Sequence, residues 1–347
     1  MAGTVYGDIS PRTAAYVVKD MLERGMPHLV FEKFGQSKPL PQNSTQQMTF
    51  RRYFLTHSHS GDFESGVYYG SSLFDPTNAE LSEAVTPDAT QLDNEDITIS
   101  LKQYGTRVRM SDVIQDTHED PVMQEATDII GEQAATILEK VRFNKLIGGT
   151  NVYFTNGSAR SDVNTTMSLS IQRKGTRQLK RNLGQPITKV LKSTPNYGTE
   201  AVAPSFIAIA HTDLENDIRD MQGFVPVEKY GSMTPYEGEV GKVEDVRYIV
   251  STICEAWEDA GGDPSTNSVL STSGSSADVY PILFLARNAY GIVPLKGKSS
   301  ITPMVVNPTP SDSDPMGQRA HVSWKAWQGA VILNDQWMVR VETAASD

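Results

Sequence analysis

The sequence predicts an α+β chain that reaches outward as much as it packs inward. Three observations carry that prediction. A long amphipathic helical pattern runs over residues 121–147. Two strand-like runs, MTFRRYF and ITISLKQY, bracket a long acidic excursion, and the C-terminal third reads as short strands separated by turns. The 347 residues hold 31 Lys and Arg against 42 Asp and Glu, a formal net charge of −11. That balance argues against a surface built mainly for nucleic acid. Charged residues are 21% of the chain, against about 25% in ordinary domains. Apolar content is also slightly low, and the surplus of Ser, Thr, Asn, Gln, Gly and Pro favours turns and surface excursions. The single cysteine, Cys254, excludes an internal disulfide framework and a cysteine zinc cage. MAGTVYGDISPRTAAY lacks the basic-then-apolar pattern of a signal peptide, and no apolar run reaches membrane-spanning length. The expectation is a soluble protein made in a reducing cytoplasm.

Ser10 and Pro11 open a first helix as N-cap and first helical residue. Ala14, Val17, Val18, Met21 and Leu22 then recur at helical spacing until Gly25. A Pro-punctuated stretch, FGQSKPLPQN, leads into the first strand. Residues 53–101 hold nine carboxylates (Asp62, Glu64, Asp75, Glu80, Glu83, Asp88, Asp93, Glu95 and Asp96) and no Lys or Arg. Two antiparallel arms of about 20 residues each would reach about 60 Å. Two strands alone are marginal in water, so such a limb needs something else to lie on.

Asp120 and Pro121 start the long helix, with Val122, Ala126, Ile129, Ile130, Ala134, Ile137, Leu138 and Val141 along one face and Gly148-Gly149 at its end. A second helix spans 168–183. Around it, between 172 and 192, lie Arg173, Lys174, Arg177, Lys180, Arg181, Lys189 and Lys192 without any carboxylate. Two readings stay open for this strip: a phosphate-facing surface, or a solvated face or contact to the acidic limb. The second is preferred. APSFIAIA is a strand, followed by a Thr212/Glu215 capping box for the helix carrying Leu214, Ile218 and Met221. VEDVRYIVS is another strand. Residues 259–278, rich in Gly, Ser and Thr, read as a mobile loop. DVYPILFLA and AYGIVPL read as one hairpin. HVSWKAWQGAVIL and QWMVRVETA read as another, turning at Asn334-Asp335.

Three near-motifs fall short of chemistry. THSHSGD, with His57, His59 and Asp62, resembles a metal-hydrolase clamp, but its aspartate is one residue too far and Phe63 stands where the next His belongs. A metal-dependent hydrolase on these residues is the competing function. GIVPLKGKS has five residues between its glycines, one too many for a phosphate loop, and a strand-like run follows it. Asp112, Asp116, Glu119 and Asp120 beside His118 read as charge at the long helix's N-terminus. Trp324, Trp327 and Trp337 could stack ligands in a binding module, although burial is the commoner fate of such residues. No nucleophile meets a base, so neither catalytic nor metal residues nor a cofactor are expected.

The chain also resembles a known family. YGDISPRTAAY, FGQSKPLPQN, FRRY, DVIQDTHEDPVMQEATDIIGEQAA, PNYGTEAVAPSFIAIAHTDLENDIRDMQGFVPVEKYGS, GEVGKVEDVRYIVS, DVYPILFLARNAYGIVPLKGK and WKAWQGAVILNDQWMVRVETAA are similar to the major capsid proteins of Enquatrovirus-type tailed phages. The resemblance implies the Hong Kong 97-type capsid fold. Residues 1–45 would be an N-terminal arm, 46–105 an extended β-hairpin loop, and 106–167 a peripheral domain with a spine helix at 121–147. Residues 168–277 would form an axial domain, and 278–347 would supply C-terminal strands completing the peripheral domain. Residues 54–82 and 259–277 look like additions to the family pattern. The implied role is a virion structural protein that self-assembles in the host cytoplasm into pentamers and hexamers of an icosahedral shell. Its partners would be itself and portal, scaffolding and decoration proteins, with double-stranded DNA enclosed but not read, and no membrane. On this reading the loop contacts a neighbour through Phe54, Phe63, Tyr68, Tyr69, Leu73 and Phe74. Arg287, Lys296, Lys298 or the strip Arg173, Lys174, Arg177, Lys180 and Arg181 would face it.

Overall fold

The computed structural model describes residues 29–41, 43, 45–56, 80–81, 83, 91–113, 122–187, 204–230, 235–272, 274–295, 301–310 and 314–347. The expected first helix, most of the acidic excursion, the 187–192 run beyond Ile187, and Lys296 and Lys298 lie outside them. In chain order the strands are β1 (36–37), β2 (47–56), β3 (91–100), β4 (102–111), β5 (152–154), β6 (206–210) and β7 (224–226). They continue with β8 (239–243), β9 (246–250), β10 (280–285), β11 (290–294), β12 (302–306), β13 (319–332) and β14 (338–343). Three α-helices accompany them: α1 (Val122–Leu146), α2 (Leu169–Arg181) and the short α3 (Glu215–Arg219).

The strands form three sheets. In the largest the order is β5-β14-β10-β6-β9-β8-β7. The five-stranded sheet is organised by β13, the longest strand. One edge of β13 takes β4 over ten residues, and the other takes β12 and then β11, with β1 beyond β11. The third sheet is the β2–β3 pair, with ten residues in register.

Burial explains which strand goes where. All six residues of β10, YPILFL, are buried. Tyr280, Ile282 and Phe284 point to one side, where Ile171 and Leu179 of α2 and Ile218 of α3 join them. Leu283 and Leu285 point to the other, against Phe143 and Leu146 at the end of α1 and Val30, Phe31 and Phe34 before β1. A strand apolar on both faces needs cover on both and partners at both edges, and β6 and β14 supply the edges.

That requirement overturns both expected C-terminal hairpins. β10 and β11 turn at Asn288, which has φ +61°, yet they enter different sheets. β13 and β14 do the same across a 3-10 turn at Asp335–Trp337, whose first N–H groups Asn334 caps by accepting from Gln336. The turn chemistry was legible, but it reverses the chain between sheets rather than within one. Residues 278–347 therefore divide, with β10 and β14 in the large sheet and β11, β12 and β13 in the five-stranded one.

Helix α1 lies on the five-stranded sheet. Ala126, Ile130, Ala134 and Leu138 form its i, i+4 stripe and meet Met110 of β4 and Ala320, Val322, Trp324 and Ala326 of β13. At 1.5 Å per residue α1 is about 37 Å long. Ile129, expected on the packed face, is 56% exposed, because one residue turns the helix about 100° off the stripe.

Two further expectations are corrected. The 211–219 segment starts with His211 as N-cap, its Nδ1 accepting from Asp213 N–H, in place of the Thr212/Glu215 box. Glu215 instead pairs with Arg219 at 2.7 Å. The tract read as a mobile loop, 259–278, is tied down where it is described. The buried Asp278 carboxylate accepts from Asp259 N–H and Thr272 N–H, both at 2.9 Å, and from the Thr272 hydroxyl at 2.6 Å. Val269, half of its one aliphatic pair, packs with Val163, Ala277, Val279 and Ala344. Composition cannot reveal such a network, because Ser and Thr serve a solvated loop and a bonded one equally well.

Candidate interaction surfaces

The β2–β3 hairpin changes character along its length. At its root, Met48, Phe50, Ile97 and Ile99 share one face by register and by the two-residue period of a strand. They pack on Leu40, Leu101, Val293 and Val331. Gly329 of β13 makes room, since a Cβ there would stand 2.8 Å from Cδ1 of Ile99. Beyond Phe50 no described residue of the hairpin joins that apolar cluster. Arg51, Tyr53, Asn94, Glu95 and Asp96 are exposed, Tyr53 by 59%. Among the described residues β2 and β3 pair only with each other. About six ladder pairs, or about 20 Å, extend past the docked root.

This shaft is closer to neutral than its composition suggests. Arg51 makes a two-point pair with Asp96 at 2.7 and 2.8 Å, and Arg52 meets Glu95 at 2.6 Å. The Arg51 hydrogen bonds hold the Asp96 carboxyl below the usual range. The count from 53 to 101 missed these cations because they lie on the facing strand, just before the window. The other seven of the nine carboxylates, from Asp62 to Asp93, precede Glu95 in the sequence. Of the expected contact residues, Phe54 sits on β2 opposite Asp93. Phe63, Tyr68, Tyr69, Leu73 and Phe74 lie outside the described residues, as do His57, His59 and Asp62 of the hydrolase alternative. So do Asp116, His118, Glu119 and Asp120.

A second surface is the entry of the N-terminal segment. The fully buried Glu139 of α1 accepts from Val30 N–H at 3.1 Å and Phe31 N–H at 2.7 Å. It also pairs with the equally buried Arg142. Arg142 reaches Glu32 at 3.1 Å. With its amide turned to accept, Gln328 takes Arg142 Nη2 and Nε at 3.1 and 3.0 Å. The Tyr290 hydroxyl donates to the Phe31 carbonyl. Burial pushes the Glu139 carboxyl up, and Arg142 and the two N–H groups pull it back. The segment 29–41 is thereby clamped to α1 and then runs parallel to β11. No motif marks Glu139; its only sequence signal is an acid and a base three residues apart at the polar end of an apolar stripe.

The basic strip falls on the outer face of α2. Arg173 pairs with Glu244, its Nε at 3.0 and 3.1 Å, and Lys180 pairs with Asp245. Both acids sit in the β8–β9 turn, so two of the strip's cations are met by their own chain. Lys174, Arg177 and Arg181 are exposed. Arg287 donates its backbone N–H to Gln185 O at 2.8 Å.

The remaining chemical alternatives find no geometry. Gly291 of GIVPLKGKS lies inside β11, opposite Gln36 and Val331. The tryptophans do not form one cluster. Trp324 is buried under α1, Trp327 borders the hairpin root, and the Trp337 indole donates to Asn182 O at 2.9 Å. Among the described residues no three His, Cys, Asp or Glu side chains form a group fit for a metal ion. Cys254 is buried, which pushes its thiol up. No described helix is long and apolar enough to cross a membrane.

A helix-backed sheet, a second mixed sheet and a projecting hairpin make up the described fold. Comparison with known proteins gives the class. Residues 94–341 match the phage capsid protein family, and this chain belongs to that family. Its role is therefore that of a structural component of a phage virion, not of an enzyme. The chain is 24% identical over 132 residues to the major capsid protein of Pseudomonas phage KPP21, a match spanning 35% of this chain and 33% of that one. The aligned stretch is thus only a third of that relative's length. Among solved structures, the capsid of Ralstonia phage GP4 superposes with a TM-score of 0.62 at 14% identity, covering 90% of this chain and 87% of the other. The capsid of cyanophage Pam1 does so with a TM-score of 0.58 at 12% identity, covering 100% and 95%. The fold is the Hong Kong 97-like capsid fold across most of the chain.

Proposed function

We propose that this chain is the major capsid protein of a tailed phage, of the Enquatrovirus type its sequence resembles. On this reading it self-assembles through pentamers and hexamers into the icosahedral head shell around double-stranded DNA. Assembly would take place in the host cytoplasm, with portal, scaffolding and decoration proteins as further partners. The observation that carries the reading is the hairpin: its root is docked on its own chain, whereas past the root β2 and β3 pair with no other described strand. A two-stranded ribbon is marginal in water, so its free-energy minimum lies against a neighbouring subunit, in a heterologous contact that can close into a shell. Residues 46–105 would be the extended loop, less 102–105, which β4 carries into the five-stranded sheet, and 1–45 the arm. α1 with the five-stranded sheet would be the peripheral domain, and the seven-stranded sheet the axial domain, with β10 and β14 included.

Phe54, Phe63, Tyr68, Tyr69, Leu73 and Phe74 would supply most of the contact energy, at about 25 cal/mol per Å² of apolar surface buried. Charge would select the register. Deleting residues 58–80 tests this by electron microscopy of the expressed protein. The expected result is folded subunits without closed shells; shells of normal yield and stability would defeat the proposal. For the α2 strip, the pairing of Arg173 and Lys180 with Glu244 and Asp245 favours a surface role over genome contact. Changing Lys180 and Arg181 together to Glu is therefore expected to leave packaged genome length unchanged.

A further inference from the structure

Residues 30–37 touch both large sheets, and at each end they meet a buried ion pair. At one end, Glu139 of α1 accepts from the N–H groups of Val30 and Phe31 and pairs with Arg142. Those N–H groups open the 3-10 turn Phe31–Lys33, which has no side-chain cap of its own. At the other end, the Phe34 ring meets the ring of Tyr236, just before β8, edge to face with centroids 5.0 Å apart. Lys33 Nζ lies 2.7 Å from a Glu237 carboxylate oxygen. The Arg247 guanidinium stands over the Tyr236 ring at 4.9 Å, and its Nε donates to Glu239 at 2.6 Å. The side chains of both ion pairs are at most 2% exposed. Between the two ends, the Tyr290 hydroxyl donates to the Phe31 carbonyl. Gly35 lies so close to that ring that a Cβ would stand 2.5 Å from Tyr290 Cε2. Val30, Phe31 and Phe34 are buried where Phe143 and Leu146 of α1 meet Ile207 and Ile209 of β6.

We propose that residues 30–37 are a strap that seats as one unit between α1 and the β8–β9 side of the seven-stranded sheet, and that unseating it frees that side from α1. Glu139 bonds Val30, Phe31 and Arg142, whereas Tyr236 touches Phe34, Glu239 and Arg247, so the strap is the neighbour the two ends share. Local chemistry makes its seating all-or-none. A buried N–H without an acceptor is costly, so Val30 and Phe31 must give theirs either to Glu139 or to water. Water reaches them only if the fully buried Phe31 leaves its place. Phe31 and Phe34 are three residues apart across the turn, where 3-10 geometry stacks positions i and i+3 on one side. Lifting one ring therefore lifts the other, and the Tyr236 contact goes with it. The inference goes beyond the capsid reading and does not depend on it. In a shell of pentamers and hexamers, such a joint would let one chain take two shapes.

Amide hydrogen exchange on the purified full chain tests the strap. Gly35→Ala pushes it off Tyr290 while leaving every polar partner in place. Protection is expected to fall about tenfold or more at the Val30 and Phe31 N–H groups. It should fall in step at the N–H groups of Glu239 and Val250, which bond to Tyr236 O and Gly238 O. β10 is expected to keep wild-type protection, which shows that the subunit is folded. A smaller, reciprocal effect starts from the exposed end. Lys33→Glu sets like charges against Glu237 and is expected to lower protection at Val30 and Phe31 about two- to fivefold. Adding Glu237→Lys is expected to restore it. If Gly35→Ala loosens Val30 and Phe31 while Glu239 and Val250 keep their protection, the strap is local packing and the proposal fails. If β10 loses protection as well, the subunit is unfolding as a whole, and Lys33→Glu decides: no change at Val30 and Phe31 overturns the proposal. Each readout is taken on the subunit, so failure here leaves the capsid reading standing, and loss of shells in the 58–80 deletion tests that reading separately.

Discussion

Strands β10 and β3 differ more than any other two in the molecule. In β10 every residue is buried, both edges are paired and both faces are covered. In β3, Ile99 is the one buried residue from 94 to 100, and β2 is its one described strand partner. The difference is written in YPILFL against DNEDITIS. A strand apolar on both faces can be satisfied only inside a domain. A strand with a short apolar root and an acidic continuation is satisfied at its root alone. The first is stabilised within the subunit, and the second, on the function proposed above, by a neighbouring copy.

Four substitutions can break or sharpen that contrast. Phe284→Ala, in the covered sheet, is expected to cost the isolated subunit about 3–5 kcal/mol in urea unfolding, because the surrounding core cannot collapse into the cavity. A loss below about 1 kcal/mol would mean that the sheet is not the stabilising core. Glu139→Ala leaves the buried Arg142 without its carboxylate and two backbone N–H groups without an acceptor. It is expected to cost up to about 3–5 kcal/mol and to expose the 29–41 segment to limited proteolysis. Asp278→Ala removes the acceptor for three donors in the 259–278 tract, at an expected cost of about 1–3 kcal/mol. Faster proteolysis confined to that tract would separate it from the effect of Glu139. Tyr53→Ala, on the exposed shaft, is expected to leave subunit melting unchanged and to act only on shell yield. A destabilised subunit would show the shaft docked on its own chain.

The smallest expected effect is one of pH. The Asp96 carboxyl is held below its ordinary value by Arg51. Such a group contributes stability above the unfolded-state value, about 3.9, and loses it only as pH falls through the depressed one. Acidification should therefore leave the β2–β3 hairpin paired until the pH falls through that depressed value. Circular dichroism across an acid titration checks this, and loss of the hairpin signal already above about 3.9 would show that Arg51 does not hold Asp96 ionised.

Periodicity was sufficient for α1 and α2, whose observed spans, Val122–Leu146 and Leu169–Arg181, fall within the ranges read from the sequence. Both are long enough for an apolar stripe to outweigh local ambiguity. β7 and β8 were not read, and the run expected as the second hairpin strand, ITISLKQY, is divided between β3 and β4, but β6 and β9 to β14 were legible from APSFIAIA onward. Partners were not. Asn334 and Asn288 do turn the chain, yet each turn hands it from one sheet to the other, because β10 and β13 meet their burial requirements with strands far away in sequence. The clamp of Glu139, Arg142 and Gln328 joins residues 30, 139, 142 and 328, a separation no spacing rule spans.

The sequence by itself determined where the two long described helices and most of the strands lie, that residues 53–101 are acidic, and which family the chain resembles, since these depend on local period, composition and matched stretches. Only the tertiary structure decided which strands share a sheet and which cations are already paired. Those outcomes depend on burial and on electrostatic contacts between residues brought together from far apart in the chain, and neither is a local property.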